Sequence, residues 1–497
     1  MKKIVSNVFY YFLDALVLTI LGYLFWILMG RFLTKEEYGI LFTIISFSNG
    51  LALFSTLGFQ EALPKFIPEF LKKGKKGKVK ATIKFSIKVI IITSLIISFL
   101  IFYFSKLIAL NLYNSEELAL PLKYSSILIF VFTLTSILKS TFQGFQNFKS
   151  MFLVDSFSAS LKILIALLLT FIGFKVLGGV FAWISYFLSC LILYSLILSK
   201  MSFEKENSFD KKIFLKFCSF SLLSSISSFF ILQGGIIISS FLSTFGSVGL
   251  LSVAYLFGMI TLFIPSIIAG AIFPSFSEFW VREKEKVKLL LTIAVKTIVV
   301  IVLPLIIFLS IFSKFFVELF FGSKFLGASL LFAPYLLAFF LMGISSLLLL
   351  FLYSAYKPKI RLLILFFGML LNIILCFLLI PLYDVLGAVF SFLTSQIFII
   401  SISIFFVNKV LPLKISRRSI FLIPNNIIFL IILLLASLSN SFLKIILIAF
   451  AFLSYFVLLF KFKIINEKDL LLLDYFPNKF GVKKFKNFIK KLVSFFG

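Results

Sequence analysis

Ionisable side chains inside long apolar runs are the first candidates for chemistry in this sequence. Lys162 lies near the middle of such a run, residues 153–173, and Asp155 lies seven residues before it. At about 100° per residue, Asp155, Ser158 and Lys162 share one helix face over about 10.5 Å of rise. A charge inside a bilayer costs roughly 2.5 to 3.5 kcal/mol, so this face is predicted to open onto a water-accessible cavity rather than onto lipid. A direct pair between Asp155 and Lys162 would be a long reach, so each is expected to have another partner, with an interhelical charge pair as the structural alternative.

Four further side chains complete the candidate substrate-binding set. Asp14 lies about two turns into the first predicted helix, where a carboxylate can titrate, bind a cation or lie exposed at the helix mouth. Lys139 and Lys296 each lie within about two turns of a predicted helix end, from which a long side chain can instead reach the lipid headgroups. Gln233 is uncharged, and buried amides more often join helices than bind ligands. The cavity candidates are Lys162, Asp155, Asp14, Lys139, Lys296 and Gln233. No residue is predicted to be catalytic or to bind a metal.

Composition restricts the chemistry that this chain can perform. Of its 497 residues, 61% are hydrophobic and 13% are charged, and the mean hydropathy is +1.17. A water-soluble surface cannot hide that many apolar side chains, so the bilayer is the expected solvent. The sequence has no histidine, which excludes histidine-activated nucleophiles, histidine metal ligands and histidine pH switches. Cys190, Cys218 and Cys376 lie in apolar stretches and are predicted to be small buried hydrophobes rather than a disulfide or metal set.

Apolar runs of about 20 residues, the length that a helix needs to cross about 30 Å of hydrocarbon, recur along the chain. We predict about fourteen transmembrane helices. Their approximate bounds are 9–30, 39–62, 83–105, 120–141, 153–173, 179–199, 217–241, 249–273, 291–312, 328–353, 362–381, 386–407, 420–438 and 442–460. The first run is too long for a signal peptide and lacks a small-residue cleavage site, so it is expected to be a retained helix.

Basic residues lie mostly on one side of this predicted topology. Among lysines and arginines in loops and at adjoining helix ends, 37 fall on the side of both termini and 7 on the other. Because basic residues accumulate on the cytoplasmic side, both termini are predicted to be cytoplasmic, in the cell membrane. This placement explains the formal charge of +29 without nucleic-acid binding. In residues 478–497, three- and four-residue spacing places apolar side chains on one helix face and lysines on the other. This pattern predicts an interfacial helix on anionic lipid, with a solvated basic tail as the alternative.

The sequence also repeats itself at a spacing of 210 residues. Gly39 and Pro64 have counterparts in Gly249 and Pro274. Six helices per repeat is an even number, so the repeats should be related by an axis along the membrane normal. The fold class is therefore an all-α polytopic membrane protein, with two six-helix lobes plus two extra C-terminal helices. The predicted domains are the lobes 1–205 and 206–410, the extra helices 411–461 and a basic tail 462–497.

An ordered series of short motifs resembles a known family. The series contains GRFLTKEEYG at 30–39, PKFIPE at 64–69, FGSKF at 321–325, LNI at 371–373 and LGA at 386–388. It resembles the oligosaccharide flippases of polysaccharide biosynthesis, which belong to the multidrug, oligosaccharidyl-lipid and polysaccharide exporter superfamily. The sequence lacks the stronger signatures of the drug-exporting and peptidoglycan-precursor branches.

The resemblance implies two lobes around a cavity that opens alternately to each side, and no enzymatic activity. It implies flipping of an oligosaccharide linked to polyprenyl phosphate or diphosphate, with membrane lipids and glycan assembly proteins as further partners. Lys162, Lys139 and Lys296 would then offset phosphate charge, with Lys162 as the best candidate. Asp155 and Asp14 would contact sugars or couple transport to a Na⁺ or H⁺ gradient, without a cofactor. No nucleotide-binding loop occurs, so ATP is not expected to drive transport directly.

Two alternative functions remain open from the sequence. A cation-coupled multidrug exporter of the same superfamily would share the fold. A membrane glycosyltransferase or oligosaccharide polymerase would need a large outer loop with catalytic residues, and the predicted outer loops are short.

Overall fold

The computed structural model describes residues 2–201, 208–355, 357–412, 421–465, 469–470, 486–487 and 489–491. Within these residues the chain forms helices and no strand. The helices are α1 (Lys2–Phe32), α2 (Lys35–Ser55), α3 (Phe59–Lys72), α4 (Lys76–Asn111), α5 (Ala119–Gly144), α6 (Phe148–Phe171), α7 (Lys175–Ser199), α8 (Lys211–Leu242), α9 (Phe245–Thr261), α10 (Phe263–Arg282), α11 (Lys284–Ile311), α12 (Ser313–Phe321), α13 (Phe332–Ser354), α14 (Pro358–Tyr383), α15 (Val385–Val410), α16 (Leu422–Leu438) and α17 (Ser441–Lys461). A 3₁₀ segment, Ser323–Leu331, precedes α13. Most of the predicted interfacial helix at 478–497 lies outside the described residues.

Thirteen helical segments in the described part of the chain are long and apolar enough to cross a membrane. A fourteenth apolar helix, α16, has 17 residues and lies where the thirteenth crossing was predicted. The chain is thus an all-α, multi-pass membrane protein, and the prediction of about fourteen helices is confirmed.

The predicted second span, 39–62, is not one continuous helix, so that prediction is wrong in detail. Helix α2 ends at Ser55 and α3 begins at Phe59. Between them Leu57 and Gly58 have positive φ angles of 50° and 75°. A Cβ atom on Gly58 would lie 2.2 Å from the backbone oxygen of Cys218. A glycine is needed here for both the left-handed backbone and the close approach of α8.

The chain divides into two compact units. Unit 1 comprises Met1–Ser252, Phe320–Phe325 and Asn372–Ala388. Within it α5 packs against α2, α3, α4 and α7, while α1 packs against α6 and α8 packs against α2 and α3. The predicted lobe boundary near residue 205 lies between α7 and α8, inside this unit. The two predicted six-helix lobes stay a prediction.

Two helix starts that the predicted repeat makes equivalent are in contact inside unit 1. Helices α2 and α9 begin at Lys35 and Phe245, which are 210 residues apart, and their first turns touch reciprocally. A Cβ atom on Gly39 would lie 1.9 Å from the oxygen of Phe245, and one on Gly249 would lie 2.3 Å from the oxygen of Lys35. Equivalent residues of the two predicted repeats therefore exchange equivalent contacts, as residues do around a twofold axis.

The starts of α2 and α9 are also capped in the same way. Thr34 Oγ1 accepts a hydrogen bond from the backbone N–H of Glu37, three residues on. Thr244 Oγ1 accepts one from the backbone N–H of Ser247. Each threonine satisfies a backbone donor that the first helical turn leaves unpaired, and the two caps are again 210 residues apart.

Unit 2 comprises Val253–Leu319, Leu326–Leu371 and Val389–Gly497. In it α11 packs against α10, α13 and α16, and α16 packs against α17. The Tyr455 hydroxyl on α17 donates to the backbone oxygen of Val300 on α11 at 3.0 Å. The last two helices therefore pack on α11 through a polar contact as well as through an apolar core that includes Phe429 and Leu433.

Candidate functional site

Four helices of unit 1 bring two carboxylates, one ammonium and a tyrosine together in what we call the charged cluster: Asp14, Asp155, Lys139 and Tyr194. The Lys139 ammonium on α5 donates to Asp155 Oδ2 on α6 and lies 3.8 Å from Asp14 Oδ2 on α1. The Tyr194 hydroxyl on α7 donates to Asp155 Oδ1 at 2.7 Å. Both oxygens of Asp155 are therefore occupied, whereas Asp14 Oδ1 has no hydrogen-bond partner among the described residues.

Among the ionisable side chains of the charged cluster, only that of Lys139 is partly exposed. The Asp155 and Asp14 side chains are 1% and 6% exposed, but the Lys139 side chain is 32% exposed. Lys139 is therefore the most exposed member of the charged cluster. The ammonium pairs with carboxylates, so Lys139 is an internal partner rather than a headgroup-seeking side chain.

Lys162 sits in a separate aromatic cage formed by Phe25, Trp183 and Tyr186. Its Nζ lies 4.7 Å from the ring centre of Phe25, 4.1 Å from that of Trp183 and 5.3 Å from that of Tyr186. The residue is 4% exposed and forms no ion pair within the described ranges. The negative faces of aromatic rings attract a cation, most strongly when it is desolvated, so the rings replace a carboxylate partner.

The stripe formed by Asp155, Ser158 and Lys162 is confirmed as facing away from lipid, because all three residues are buried. The expectation of separate partners for the two charges is also confirmed, by Lys139 for Asp155 and by the aromatic cage for Lys162. The expectation that the stripe opens onto water is wrong in this conformation. Helices α1, α5 and α7 cover it and supply the partners that water would have supplied.

Lys296 belongs to unit 2 rather than to the charged cluster. Its ammonium donates to Asp469 Oδ2 at 2.6 Å, and both side chains are largely buried. Lys296 therefore joins α11 to the segment that follows α17. It does not reach for the lipid headgroups, and it is not a member of the charged cluster.

Gln233 lines a cavity of about 280 Å³ in unit 1, which we call the polar cavity. The cavity lies among α2, α3, α5 and α8, and its lining residues are Asn49, Ala52, Leu53, Thr56, Gln60, Phe132, Ser225, Phe229, Leu232 and Gln233. Beside it, Glu61 Oε1 accepts hydrogen bonds from Gln60 Nε2 at 2.9 Å and from Ser225 Oγ at 2.6 Å. These bonds orient Gln60 and Ser225 and link α3 to α8. Asn372, by contrast, donates to the backbone oxygen of Phe230 at 3.2 Å and so joins α14 to α8.

Sequence reasoning missed the aromatic cage and most of the polar cavity. Trp183, Tyr186, Cys190 and Tyr194 are spaced three, four and four residues apart along α7, so they share one helix face. That spacing was a readable signal of a polar-aromatic face. Nothing in the sequence shows which helix this face would meet, because lipid-facing and interior helices here have similar composition. The three cysteines are buried and not in disulfides, as predicted.

The comparison with protein families is decisive for membership. Residues 28–330 match the profile of a family described as "Polysaccharide biosynthesis protein". The chain belongs to this family. The match covers more than half of the sequence, including α2 to α12 and hence three members of the charged cluster.

Solved structures show that this chain shares its fold with known transporters. The lipid II flippase MurJ in an inward closed conformation superposes with a TM-score of 0.70 at 19% identity, over 90% of this chain and 97% of that one. An inward-facing MATE family multidrug-resistance transporter of the MOP superfamily gives 0.64 at 15% identity, over 79% and 94%. A MOP superfamily transporter from Pyrococcus furiosus gives 0.52 at 16% identity, over 82% and 95%. No curated protein sequence matches the chain. The predicted family and its superfamily fold are therefore confirmed.

Proposed function

We propose that this polysaccharide biosynthesis protein flips an oligosaccharide linked to polyprenyl phosphate or diphosphate across the cell membrane by alternating access. The family and the shared fold support transport in polysaccharide biosynthesis. A flippase of this kind must pass a polar, anionic head through the membrane while the lipid tail stays in hydrocarbon. It therefore needs polar contacts for sugars and cations for phosphate.

The observation that carries the proposal is the lining of the polar cavity. Its amide and hydroxyl groups, on Asn49, Gln60 and Gln233 and on Thr56 and Ser225, are both donors and acceptors, as sugar hydroxyls are. The rings of Phe132 and Phe229 supply apolar faces. The volume is near the lower end of small-molecule sites, about 300 Å³, so the cavity suits one part of a sugar chain.

The lysine ammonium groups of unit 1 are the candidates for binding the phosphate of the substrate. Lys139 is the better candidate for first contact, because its side chain is partly exposed while Lys162 is enclosed by rings. A phosphate that displaced Asp14 from Lys139 would gain a charge-assisted hydrogen bond. Lys162 would join only after α1 or α7 moved to open the aromatic cage.

We also propose that Asp14 and Asp155 couple flipping to a Na⁺ or H⁺ gradient. Both carboxylates face one ammonium, so a cation that took the place of Lys139 would free that lysine for phosphate. Sodium-dependent and proton-dependent transport would be separated by varying each gradient alone in vesicles.

Replacing the amides of the polar cavity tests the proposal. In cells that depend on this chain, Gln60→Leu and Gln233→Leu should reduce export of the oligosaccharide about tenfold, because each removes a hydrogen-bonding group from a buried site. Gln143→Leu makes the same chemical change on α5 outside the cavity and serves as the control. Export at the control level in both cavity variants, with equal membrane abundance, would refute a sugar-binding role.

One observation favours a second candidate, the cation-coupled multidrug exporter. The buried carboxylates Asp14 and Asp155 would suit a cationic drug as well as a coupling ion. Efflux of a cationic dye from vesicles containing the protein would favour this candidate, and an absence of efflux alongside oligosaccharide flipping would reject it.

A further inference from the structure

The polar cavity has a carboxylate behind its wall that the proposed function does not use. Glu61 lies in the first turn of α3, and its Oε1 accepts hydrogen bonds from Gln60 Nε2 at 2.9 Å and from Ser225 Oγ at 2.6 Å. Its other oxygen, Oε2, is buried and has no hydrogen-bond partner among the described residues. The first turn of a helix favours a negative charge, so the position suits an ionised carboxylate.

The charge of Glu61 is not neutralised by a basic side chain. Within the part of the chain that the structure describes, Glu61 forms hydrogen bonds to Gln60 and Ser225 and no ion pair. Lys65, one turn further along α3, lies instead over the ring of Phe217, with its Nζ 3.8 Å from the ring centre. The described residues that line the cavity are all uncharged. The wall formed by α3 and α8 is therefore electronegative.

The hydroxyl groups of the cavity have their hydrogens committed elsewhere. Ser225 donates its hydrogen to Glu61, and Thr56 Oγ1 donates to the backbone oxygen of Leu53 at 2.7 Å. A hydroxyl group has one hydrogen and two lone pairs, so both oxygens can only accept from a molecule in the cavity. The bond to a carboxylate also polarises Ser225 Oγ and makes it a stronger acceptor. This wall therefore favours a ligand group that donates hydrogen bonds, above all a positively charged one.

We propose that Glu61 is a positioning residue that makes the polar cavity selective for a sugar with a free, protonated amino group. The ammonium donates to Ser225 Oγ, and the carboxylate behind Ser225 offsets its charge. A sugar with a hydroxyl or acetamido group in the same place donates a hydrogen bond but gains no attraction between charges. The inference rests on the proposed function, which places part of the transported sugar chain in this cavity.

Binding of simple sugars to the purified full-length protein tests this selectivity without transport. Methyl glucosaminide, methyl N-acetylglucosaminide and methyl glucoside differ in one substituent, and the rise of the thermal unfolding midpoint measures the binding of each. At a pH that keeps the amine protonated, the amino sugar should bind the wild type about tenfold more tightly than the acetamido sugar, because only the ammonium makes a charge-assisted hydrogen bond. Glu61→Gln should remove this preference. Glu69→Gln removes a carboxylate of the same helix that pairs with Lys73 at an exposed position, and it should keep the preference.

The ratio of affinities separates selectivity from a structural role. A purely structural role of Glu61 would weaken binding of all three sugars alike, so an unchanged ratio in Glu61→Gln would overturn the proposal. Equal binding of the amino and acetamido sugars by the wild type would also overturn it, as would a failure of the amino sugar to bind. Equally tight binding of hexylamine, which has the ammonium without the ring, would overturn the assignment to a sugar.

Flipping assays distinguish this inference from the proposed function. Vesicles would carry a lipid-linked oligosaccharide with free amino groups, or the same material after N-acetylation. If the wild type flips both forms at the same rate, the proposed function stands and the selectivity is wrong. If it flips neither form, although the amino sugar binds and Glu61→Gln removes that preference, the selectivity of the cavity stands and the proposed function is wrong.

Discussion

Asp155 joins three helices through a single carboxylate. It lies on α6, its Oδ1 accepts from Tyr194 on α7, and its Oδ2 accepts from Lys139 on α5. In an interior without water, such a group stabilises helix packing only while every partner is present. The charged cluster therefore both holds helices together and is a candidate phosphate site. Mutations are needed that test helix packing and phosphate binding separately.

The ion pair of Lys139 can be tested for its structural role by a double variant. Asp155→Asn leaves Lys139 with Asp14 at 3.8 Å, and we expect a loss of about 2 kcal/mol, less than for a fully buried pair because Lys139 is partly exposed. Adding Lys139→Gln should then cost less than Lys139→Gln costs in the wild type, since only the contact with Asp14 is left to lose. Chemical unfolding in detergent would measure the free energy of unfolding of each single variant and of the double variant. If the losses of the two single variants simply add in the double variant, Lys139 and Asp155 do not interact.

Replacing Lys162 is expected to reduce transport without reducing stability. Lys162→Met keeps the length of the side chain and removes a desolvated charge, so we expect unchanged membrane abundance and a thermal midpoint that is equal or higher. Oligosaccharide export should fall at least tenfold if the ammonium meets phosphate during the transport cycle. Lys162→Arg keeps the charge and is the control. Normal export by Lys162→Met would remove Lys162 from the substrate path.

At the scale of the elements, the break between α2 and α3 is the feature that fixes the polar cavity. Thr56 ends one wall of the cavity and Gln60 begins the next, and the left-handed turn at Leu57 and Gly58 lies between them. A straight helix would place these residues four positions apart on one continuous face. The turn instead directs α3 toward α8, where Glu61 reaches Ser225.

Gly58→Ala tests this turn, with Gly74→Ala as a matched control. Both glycines have positive φ, 75° and 68°, but only Gly58 has backbone against its Cβ position, whereas Gly74 has nothing within 4 Å. Left-handed alanine costs about 1 kcal/mol at either site. The clash should add at least about 2 kcal/mol at Gly58. Equal midpoints for the two variants would show that α3 and α8 can separate freely.

Sequence patterns predicted the elements better than their partners. Run length and hydropathy placed the helices, because the cost of exposing backbone to hydrocarbon permits few other structures. Charge inside an apolar run identified Asp155 and Lys162 as internal. The aromatic cage and the cavity depend instead on which faces of α1, α5 and α7 meet, and contacts between apolar helices leave little trace in composition. The break at Gly58 was missed because the surrounding residues are apolar enough to continue the span.

At the scale of the whole molecule, the uneven distribution of basic residues predicts the orientation of the chain in the membrane. With 37 basic residues on the side of the termini and 7 on the other, we expect both termini in the cytoplasm. A reporter enzyme that is active only outside the membrane, fused after Gly497, should be silent. A fusion within the segment between α4 and α5, at Asn114, should be active as the control. Strong activity of the fusion after Gly497 would reverse the orientation.

The reciprocal contact of Gly39 and Gly249 bears on how the molecule arose. Two helix starts 210 residues apart have equivalent caps and approach each other through equivalent glycines. This equivalence is what the predicted duplication of a six-helix unit would produce at its second helix. The contact also means that the two helix starts lie too close for any side chain larger than hydrogen at these positions.

Flipping of a lipid-linked oligosaccharide by the purified protein in vesicles tests the central claim most directly. Vesicles would carry a polyprenyl-diphosphate oligosaccharide in both leaflets, and a membrane-impermeant glycosidase added outside would report the fraction of sugar that is accessible over time. We expect the protein to bring the inner-leaflet sugar to the outside within minutes, with Gln60→Leu and Gln233→Leu slowing this step and Gln143→Leu leaving it unchanged. Cleavage that stops at the outer-leaflet fraction with the folded wild-type protein present would contradict the account.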